Sequence, residues 1–386
     1  MHLFFSVGEP SGDEHAGELI GMLRSRGPLR AAGFGGPQME AAGQEQMFPL
    51  CDLAVMGIQQ IAPQLKTFFR LADEAEDYFR RERPDAVVLV DYPGFNWHIA
   101  RRAKKYGIPV AYYMPPQLWA WAPWRIRKAR RLIDLVLSGL PFEADWYRER
   151  GVPVAEVSHP FFDEVARHEV DEAQVEAIRR SGRPLAILPG SRNSELKNNF
   201  SMQLSVARRL YARHPDLHFH VAAYKPAHEA FCRDAIAREA AALPMTVHRG
   251  CTSEVIEAAD AVVAVSGSVS LELLARRKPT TVMYRLPPAT GVAGHFLVRT
   301  PWVSLPNLIA QREVMPELKF IRRRDRNANV IAADVHEWLA DDTVMAAKVA
   351  ELDAVAKTAV KPGGTLAAAE AIEAMLGQRS QRRRAA

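Results

Sequence analysis

Three stretches of the sequence carry reactive side chains where a strand-like run ends. Val87-Val88-Leu89-Val90 leads into Asp91, followed by Tyr92-Pro93-Gly94. A carboxylate aimed into a cleft from the end of a strand takes a proton from a hydroxyl nucleophile. An aspartate there equally orders its own turn, so both roles stay open. Ala186-Ile187-Leu188 leads into Pro189-Gly190-Ser191-Arg192. Glycine lets the backbone approach a ligand, and arginine makes a forked contact to phosphate oxygens. The plainer reading is a turn with a solvated arginine. Val265-Ser266-Gly267-Ser268-Val269-Ser270-Leu271-Glu272 reads as a strand, a small-residue turn and a helix start. Backbone N–H groups at such a start attract a diphosphate, and Glu272, one turn in, is within reach of a ribose diol. Ordinary capping by Ser266 or Ser268 is the alternative.

Further segments qualify as contacts. In Gly8-Glu9-Pro10-Ser11-Gly12-Asp13, Ser11 or Asp13 is suited to cap the helix that follows. The small loop through Glu9 and Gly12 also suits close backbone approach to an acceptor. Trp119 and Trp121 lie in Pro116–Trp124, which carries three of the seven tryptophans and precedes Arg125, Arg127, Lys128, Arg130 and Arg131. Amphipathic aromatics beside a basic run suit a lipid headgroup zone. Stacking on single-stranded nucleic acid and simple core packing compete with that reading. Ile58, Ile61, Leu65, Phe68 and Phe69 recur at helical spacing, with Lys66 and Arg70 between them. Such a stripe is core, or else it faces a membrane or an acyl chain. His159, in Ser158-His159-Pro160, is a contact candidate at the domain junction.

Several chemistries lack their signatures. There is no G-x-x-x-x-G-K-[ST], and Gly33-Phe34-Gly35-Gly36 meets Gln38 where a dinucleotide fingerprint needs glycine. Neither H-E-x-x-H nor D-x-D occurs, so a mechanism without metal or cofactor is expected. Cys51, Cys232 and Cys251 form no C-x-x-C, which suits a reducing cytoplasm. The N-terminal run lacks a basic n-region and a small-residue cleavage site, so no signal peptide is expected.

The elements that must position these groups are short apolar runs alternating with amphipathic segments. Expected strands are Leu3–Val7, Ala31–Phe34, Ala86–Val90, Val110–Tyr113, Leu135–Leu137 and Val154–Val157. A second series is Leu185–Leu188, Leu217–Ala222, Met245–His248, Ala261–Val265, Thr280–Tyr284 and Trp302–Leu305. Continuous apolar runs mark strands covered on both faces, as in parallel sheets flanked by helices. The chain thus reads as α/β, in two successive sets, and 386 residues suit about two domains at ~150 residues each. The expected bounds are 1–165, 166–350 and a helical segment 351–386 that ends in a basic tail. Two such sheets facing each other leave a cleft at the carboxyl ends of their strands. At 48% hydrophobic and 25% charged residues, the composition excludes a disordered or fibrous chain. A net charge of +5 admits nucleic acid, an anionic membrane or phosphorylated ligands as partners.

The ordered set of segments resembles the lipid-A-disaccharide synthase family of bacterial glycosyltransferases. It is carried by Gly8–Asp13, Ala54-Val55-Met56-Gly57, Asp91 with Pro93 and Phe95-Asn96, Trp119-Ala120-Trp121 and Leu140-Pro141-Phe142-Glu143. Leu188–Arg192 with Glu195, Ser266-Gly267 with Glu272, and Val303–Leu308 complete it. The resemblance implies the GT-B architecture, two Rossmann-like α/β domains facing across a cleft. The acceptor would lie mainly in the first domain and the nucleotide in the second. It implies transfer of 2,3-diacylglucosamine from UDP-2,3-diacylglucosamine to 2,3-diacylglucosamine 1-phosphate (lipid X), with inversion and a β-1,6 bond. The work would be done at the cytoplasmic face of the inner membrane, with a C-terminal helix returning to the first domain and exchanged homodimers.

Carried over, Asp91 would be the general base for the acceptor 6-hydroxyl. Arg192 and the turn Ser266, Gly267 and Ser268 would hold the diphosphate, Glu272 would bind the ribose, and Gly190, Ser191 and Asn307 would belong to the donor side. Glu9, Ser11, Gly12, Asp13, Trp119, Trp121 and His159 belong to the acceptor or the junction. Gln311 and Arg312 match without an assigned contact. Pro115, Gln117, Ser158 and Met283 depart from the family pattern. On this reading the basic run serves an anionic membrane surface and not a nucleic acid. Another GT-B transferase moving a UDP-sugar to a lipid, or an idle binder of the same ligands, is the alternative.

Overall fold

The computed structural model describes residues 1–55, 61–285, 300–320 and 325–385. Ile58, Met56 and Gly57 lie outside the described residues, as do the side chains of Ala54, Val55 and Ile61. The chain divides into two units: residues 1–163 with 361–386, and residues 164–360.

The first unit is built on seven parallel strands, β1 (His2–Val7), β2 (Arg30–Phe34), β3 (Glu45–Phe48), β4 (Ala86–Val90), β5 (Val110–Tyr113), β6 (Leu135–Ser138) and β7 (Val154–Glu156). Their order is β3-β2-β1-β4-β5-β6-β7. The second unit carries β8 (Arg183–Leu188), β9 (Leu217–Ala223), β10 (Met245–Arg249), β11 (Ala261–Val265), β12 (Thr280–Arg285) and β13 (Glu317–Phe320), in the order β10-β9-β8-β11-β12-β13.

The apolar runs are explained by burial on both faces. In β4, Val87 and Leu89 enter one core while Ala86, Val88 and Val90 enter the other. In β8, Leu185 and Ile187 face one side of the sheet, and Ala186 and Leu188 the other. The strands that escape the apolar-run criterion, β3 and β13, are both at sheet edges. Edge strands carry charges such as Glu45 and Lys319, which oppose pairing with other chains.

Trp302–Leu305, expected as a strand, is not one. Val303 and Ser304 donate their N–H groups to the Glu317 carboxylate at 2.8 and 2.7 Å. Leu305 opens the helix Leu305–Ala310, with Pro306 in its first turn. Proline has no N–H for a sheet ladder and is preorganised for a helix start.

The helix Asp342–Ala359 buries Leu352, Val355, Ala356 and Ala359 in the second unit's core, so residues 351–359 do not travel with the final helix. That helix, Gly364–Ala385, buries Ala368, Ala369 and Ile372 against the helix Pro10–Arg26 of the first unit. Its start is fixed by Asp163, whose carboxylate accepts from Gly363, from Gly364 (3.3 Å) and from Thr365 (2.8 Å). Among the described residues no helix is long and apolar enough to cross a membrane.

Candidate active site

The first sheet reverses its order between β1 and β4, which pair in register through Val7 and Val90. Such a reversal leaves a crevice at the carboxyl ends of the strands. Glu9 leaves β1 there and Asp91 leaves β4. Asp91 and Tyr92 both adopt left-handed backbone, with φ 44° and 45°. For a non-glycine residue that costs roughly 1–2 kcal/mol each. The turn connects β4 directly to the helix Pro93–Lys105. Gly8 is required beside it, because a Cβ at that position would stand 2.3 Å from the Tyr92 ring.

Electrostatics favour a base at this point. The Asp91 carboxyl is pushed up to about 7, first by burial and second by the Glu9 carboxylate. A carboxylate so poised matches its proton affinity to neutral pH, where general-base catalysis is most effective. Glu143, which the sequence offered only within a motif, is a second perturbed acid. It is buried, accepts from Ser138 Oγ (2.7 Å) and Trp119 Nε1 (2.9 Å), and is pushed up to about 7 chiefly by burial, with Asp91 adding to the effect.

Of the expected acceptor contacts, Trp119 is half-buried with its indole N–H committed to Glu143 and its ring edge-on to Phe142 at 4.8 Å. Trp121 is also half-buried, under the Arg125 guanidinium at 4.8 Å. Ser11 is exposed on the first turn of its helix. Gly12 packs on Val7, where a Cβ would come within 2.9 Å.

Asp13 has a different role from the one expected. Its carboxylate accepts from the backbone of Gly36 (2.9 Å), Gln38 (2.9 Å) and Met39 (3.1 Å). It therefore caps the helix Pro37–Ala41, not its own helix, and is committed to structure. His159 is buried, accepts from the Phe161 N–H at 3.2 Å, and stands edge-on to His15 at 5.8 Å. Burial lowers His159 to about 3 and His15 to about 4, so both are neutral at pH 7. Ser158, which departs from the family pattern, has φ 61°, a left-handed backbone that favours glycine.

The second sheet reverses between β8 and β11, which pair through Leu188 and Ala264. The Pro189–Arg192 loop and the Ser266–Ser268 turn leave the two strands there. Gly190 has φ 98°, and a Cβ on it would stand 2.7 Å from Glu195 Oε2. Ser191 is exposed. Glu195 accepts from the Arg192 N–H (3.2 Å) and guanidinium (2.8 Å), while the Arg192 side chain stays 72% exposed. The cation is thus tied to Glu195 while most of its side chain is exposed.

Gly267 and Ser268 are exposed, and Ser268 makes no side-chain cap on the helix Val269–Ala275. The Ser266 N–H reaches the Met283 carbonyl at 3.2 Å. Glu272 is buried and accepts from Arg276 at 2.9 Å, and Arg276 also reaches Glu257 at 2.9 Å.

Asn307, expected at the donor, is instead consumed by its own loop. Nδ2 donates to the Met315 carbonyl (2.7 Å) and Glu317 (2.8 Å), and Oδ1 accepts from Val314 (2.7 Å) and Met315 (2.8 Å). Both donors and both acceptors are satisfied, so it braces the loop from inside. Gln311 donates to the Leu308 carbonyl, and Arg312 pairs with Glu351. Arg285, given no role from sequence, ends β12 and contacts Asn199 (backbone N–H, 3.1 Å) and Asn198 (side chain, 3.3 Å) on the helix that Arg192 begins. Among the described residues no group of three or more His, Cys, Asp or Glu is arranged to hold a metal ion.

Comparison with known proteins bears on the family and the fold. The family model described as lipid-A-disaccharide synthetase matches residues 3–361. A lipid-A-disaccharide synthase of Myxococcus xanthus is 36% identical over 81% of this chain and 82% of its own. One from Anaeromyxobacter dehalogenans is 35% identical over 95% of each. Among solved structures, the UDP-GlcNAc 2-epimerase of Neisseria meningitidis bound to UDP-GlcNAc superposes with TM-score 0.61 at 12% identity, over 97% of this chain and 99% of that one. The calicheamicin glycosyltransferase CalG4 gives 0.60 at 16% identity, over 97% and 98%. These two likenesses concern the fold alone, and that fold is GT-B. With its two parallel α/β units and a family match across nearly its whole length, the chain belongs to the lipid-A-disaccharide synthase family of glycosyltransferases.

Proposed function

We propose that the protein condenses UDP-2,3-diacylglucosamine with lipid X, releasing UDP and forming the β-1,6-linked disaccharide 1-phosphate with inversion. Asp91 takes the proton of the acceptor 6-hydroxyl. The freed oxygen attacks C1 of the donor sugar, and the bond from C1 to the diphosphate oxygen breaks. Negative charge then grows on UDP, where Arg192 and the Ser266–Ser268 turn stabilise it. The first unit serves the acceptor and the second the nucleotide.

The observation that carries this reading is the Asp91 carboxyl, pushed up to about 7 where the first sheet reverses, in a chain of this family. Product analysis with both lipid substrates tests it. Asp91→Ala is expected to lower turnover by about 10²–10⁴-fold. A variant within a few-fold of wild type sinks the base assignment. A wild type that binds UDP yet forms no disaccharide from this pair sinks the substrate assignment.

The same reading has the enzyme working at the cytoplasmic face of the inner membrane. Leu65 (48%), Phe69 (53%) and Trp124 (60%) are exposed apolar side chains of the first unit. Phe68 of the same stripe turns inward, 5.6 Å from Phe95. Phe69 meets His98 at 6.1 Å, and the charges of Lys128 and Arg101, after burial, depress His98. Phe69 thus lies close to cations, a combination that favours anionic lipid. Flotation with anionic vesicles is expected to lose most bound protein on Phe69→Ser with Trp124→Ser. Unchanged flotation removes this surface from the proposal.

A further inference from the structure

Two adjacent non-glycine residues in left-handed backbone need something to hold them, and the contacts around Asp91 identify it. Asn96 is fully buried on the helix Pro93–Lys105. Its Nδ2 shares two N–H groups among the carbonyls of Asp91 (2.8 Å), Val90 (3.1 Å) and Ser6 (3.1 Å), and its Oδ1 accepts from Ser6 Oγ (2.7 Å). One carboxamide therefore ties together β1, β4 and the turn between β4 and its helix. Tyr112, on β5 and also fully buried, donates its hydroxyl to the same Asp91 carbonyl at 2.7 Å.

That carbonyl thus receives two donors, which fix the peptide plane following Asp91. Released, residue 91 can return to the extended region, where a non-glycine residue is at ease. Its Cα–Cβ bond then swings, and the carboxyl leaves its present direction. Aspartate in place of Asn96 would set a carboxylate against three carbonyl oxygens, and a hydrocarbon would leave them unmet. The position asks for a group that donates and accepts together, which a carboxamide does.

We propose that Asn96 is a positioning residue of the transfer reaction, acting with Tyr112 through the Asp91 carbonyl to aim the carboxylate at the acceptor hydroxyl. The inference rests on the assignment of Asp91 as the base. Neither side chain needs to touch substrate.

Steady-state kinetics on the full chain test it, with Asp91→Asn measured alongside and UDP binding as the control for intact folding of the second unit. Tyr112→Phe keeps the buried ring and removes only the hydroxyl. It is expected to lower kcat about 10-fold with KM for both lipids within about two-fold, and Asn96→Ser to lower kcat on the order of 10²-fold, as misaimed catalytic groups do. In both, the acid limb of the kcat–pH profile moves toward the ordinary carboxylate range as the carboxyl gains solvent. Wild-type kcat in both variants while Asp91→Asn is inactive overturns the inference alone. So does a loss of activity that only tracks the folded fraction, with the acid limb unmoved. An active Asp91→Asn overturns the base assignment, and this inference with it.

Discussion

Each sheet reverses its strand order once, and each reversal carries reactive residues, but the two are built differently. At the β1–β4 reversal, Asp91 feels Glu9, and Glu143 feels Asp91, with both Asp91 and Glu143 pushed up to about 7 by burial. At the β8–β11 reversal, Arg192 stands largely in solvent, held at one end by Glu195, beside exposed backbone at Gly267 and Ser268. The contrast fits the roles proposed for the two sites. A group that moves a proton at neutral pH must have its affinity shifted, and burial does that. A group that attracts a diphosphate needs only to keep its charge and remain reachable. The first reversal stores strain and desolvation; the second stores neither in its reactive groups.

Substitutions at the two reversals should therefore separate kinetically. The largest expected effect is that of Asp91→Ala on kcat, about 10²–10⁴-fold, with UDP affinity unaltered by equilibrium titration. Next, Arg192→Ala removes a charge-assisted contact worth about 1.5–3 kcal/mol. It is expected to weaken UDP binding by about 10–10²-fold, measured by calorimetry. A loss of UDP affinity in Asp91→Ala equal to that in Arg192→Ala would erase the distinction.

A smaller effect is expected in stability against pH, with opposite signs for two kinds of buried group. His15 (about 4), His159 (about 3) and His220 (about 3) are lowered chiefly by burial. The unfolded chain takes up protons that these folded residues refuse. Their contribution is full above about 6.5, and is lost as pH falls toward 3 to 4. Asp91 and Glu143 act the other way. Held protonated in the fold, they contribute fully below about 4, and that contribution is lost as pH rises through 7.

Thermal melts from pH 4 to 8 check both signs. Glu143→Gln should flatten the alkaline side. His220→Gln should flatten the acid side, since His220 donates or accepts at His248 (2.9 Å) and Ser181 (3.1 Å) and stacks on His218 at 4.7 Å. Melts of both variants parallel to wild type would contradict the assignment.

Much of the first reversal was legible because its signals are local. Continuous apolar runs gave β4, β5 and β11 to the residue, and the residue ending β4 was the informative one. What escaped was set by distant partners. Asp13 had the composition of a cap, yet the helix it caps begins at Pro37. Asn307 had the look of a ligand contact, yet four hydrogen bonds to Val314, Met315 and Glu317 occupy it. Glu143 stood in the sequence only as part of a motif, because a buried acid differs from an exposed one only in its surroundings. The strand expected over Trp302–Leu305 failed for a related reason: Glu317 takes the N–H groups a sheet would have used.

By itself the sequence determined the α/β class, the division into two sheet-forming halves, and the residues that end each strand. These follow from hydrophobic periodicity and from glycine and proline, which act over a few residues. Only the tertiary structure decided which strand ends become neighbours, and so which carboxyls share a site. Strand order is a long-range property, and a proton affinity depends on the burial and charge that such neighbours supply. Asp91 is therefore recognisable as a candidate from its place in the chain, but its raised proton affinity comes from its burial and from Glu9 beside it.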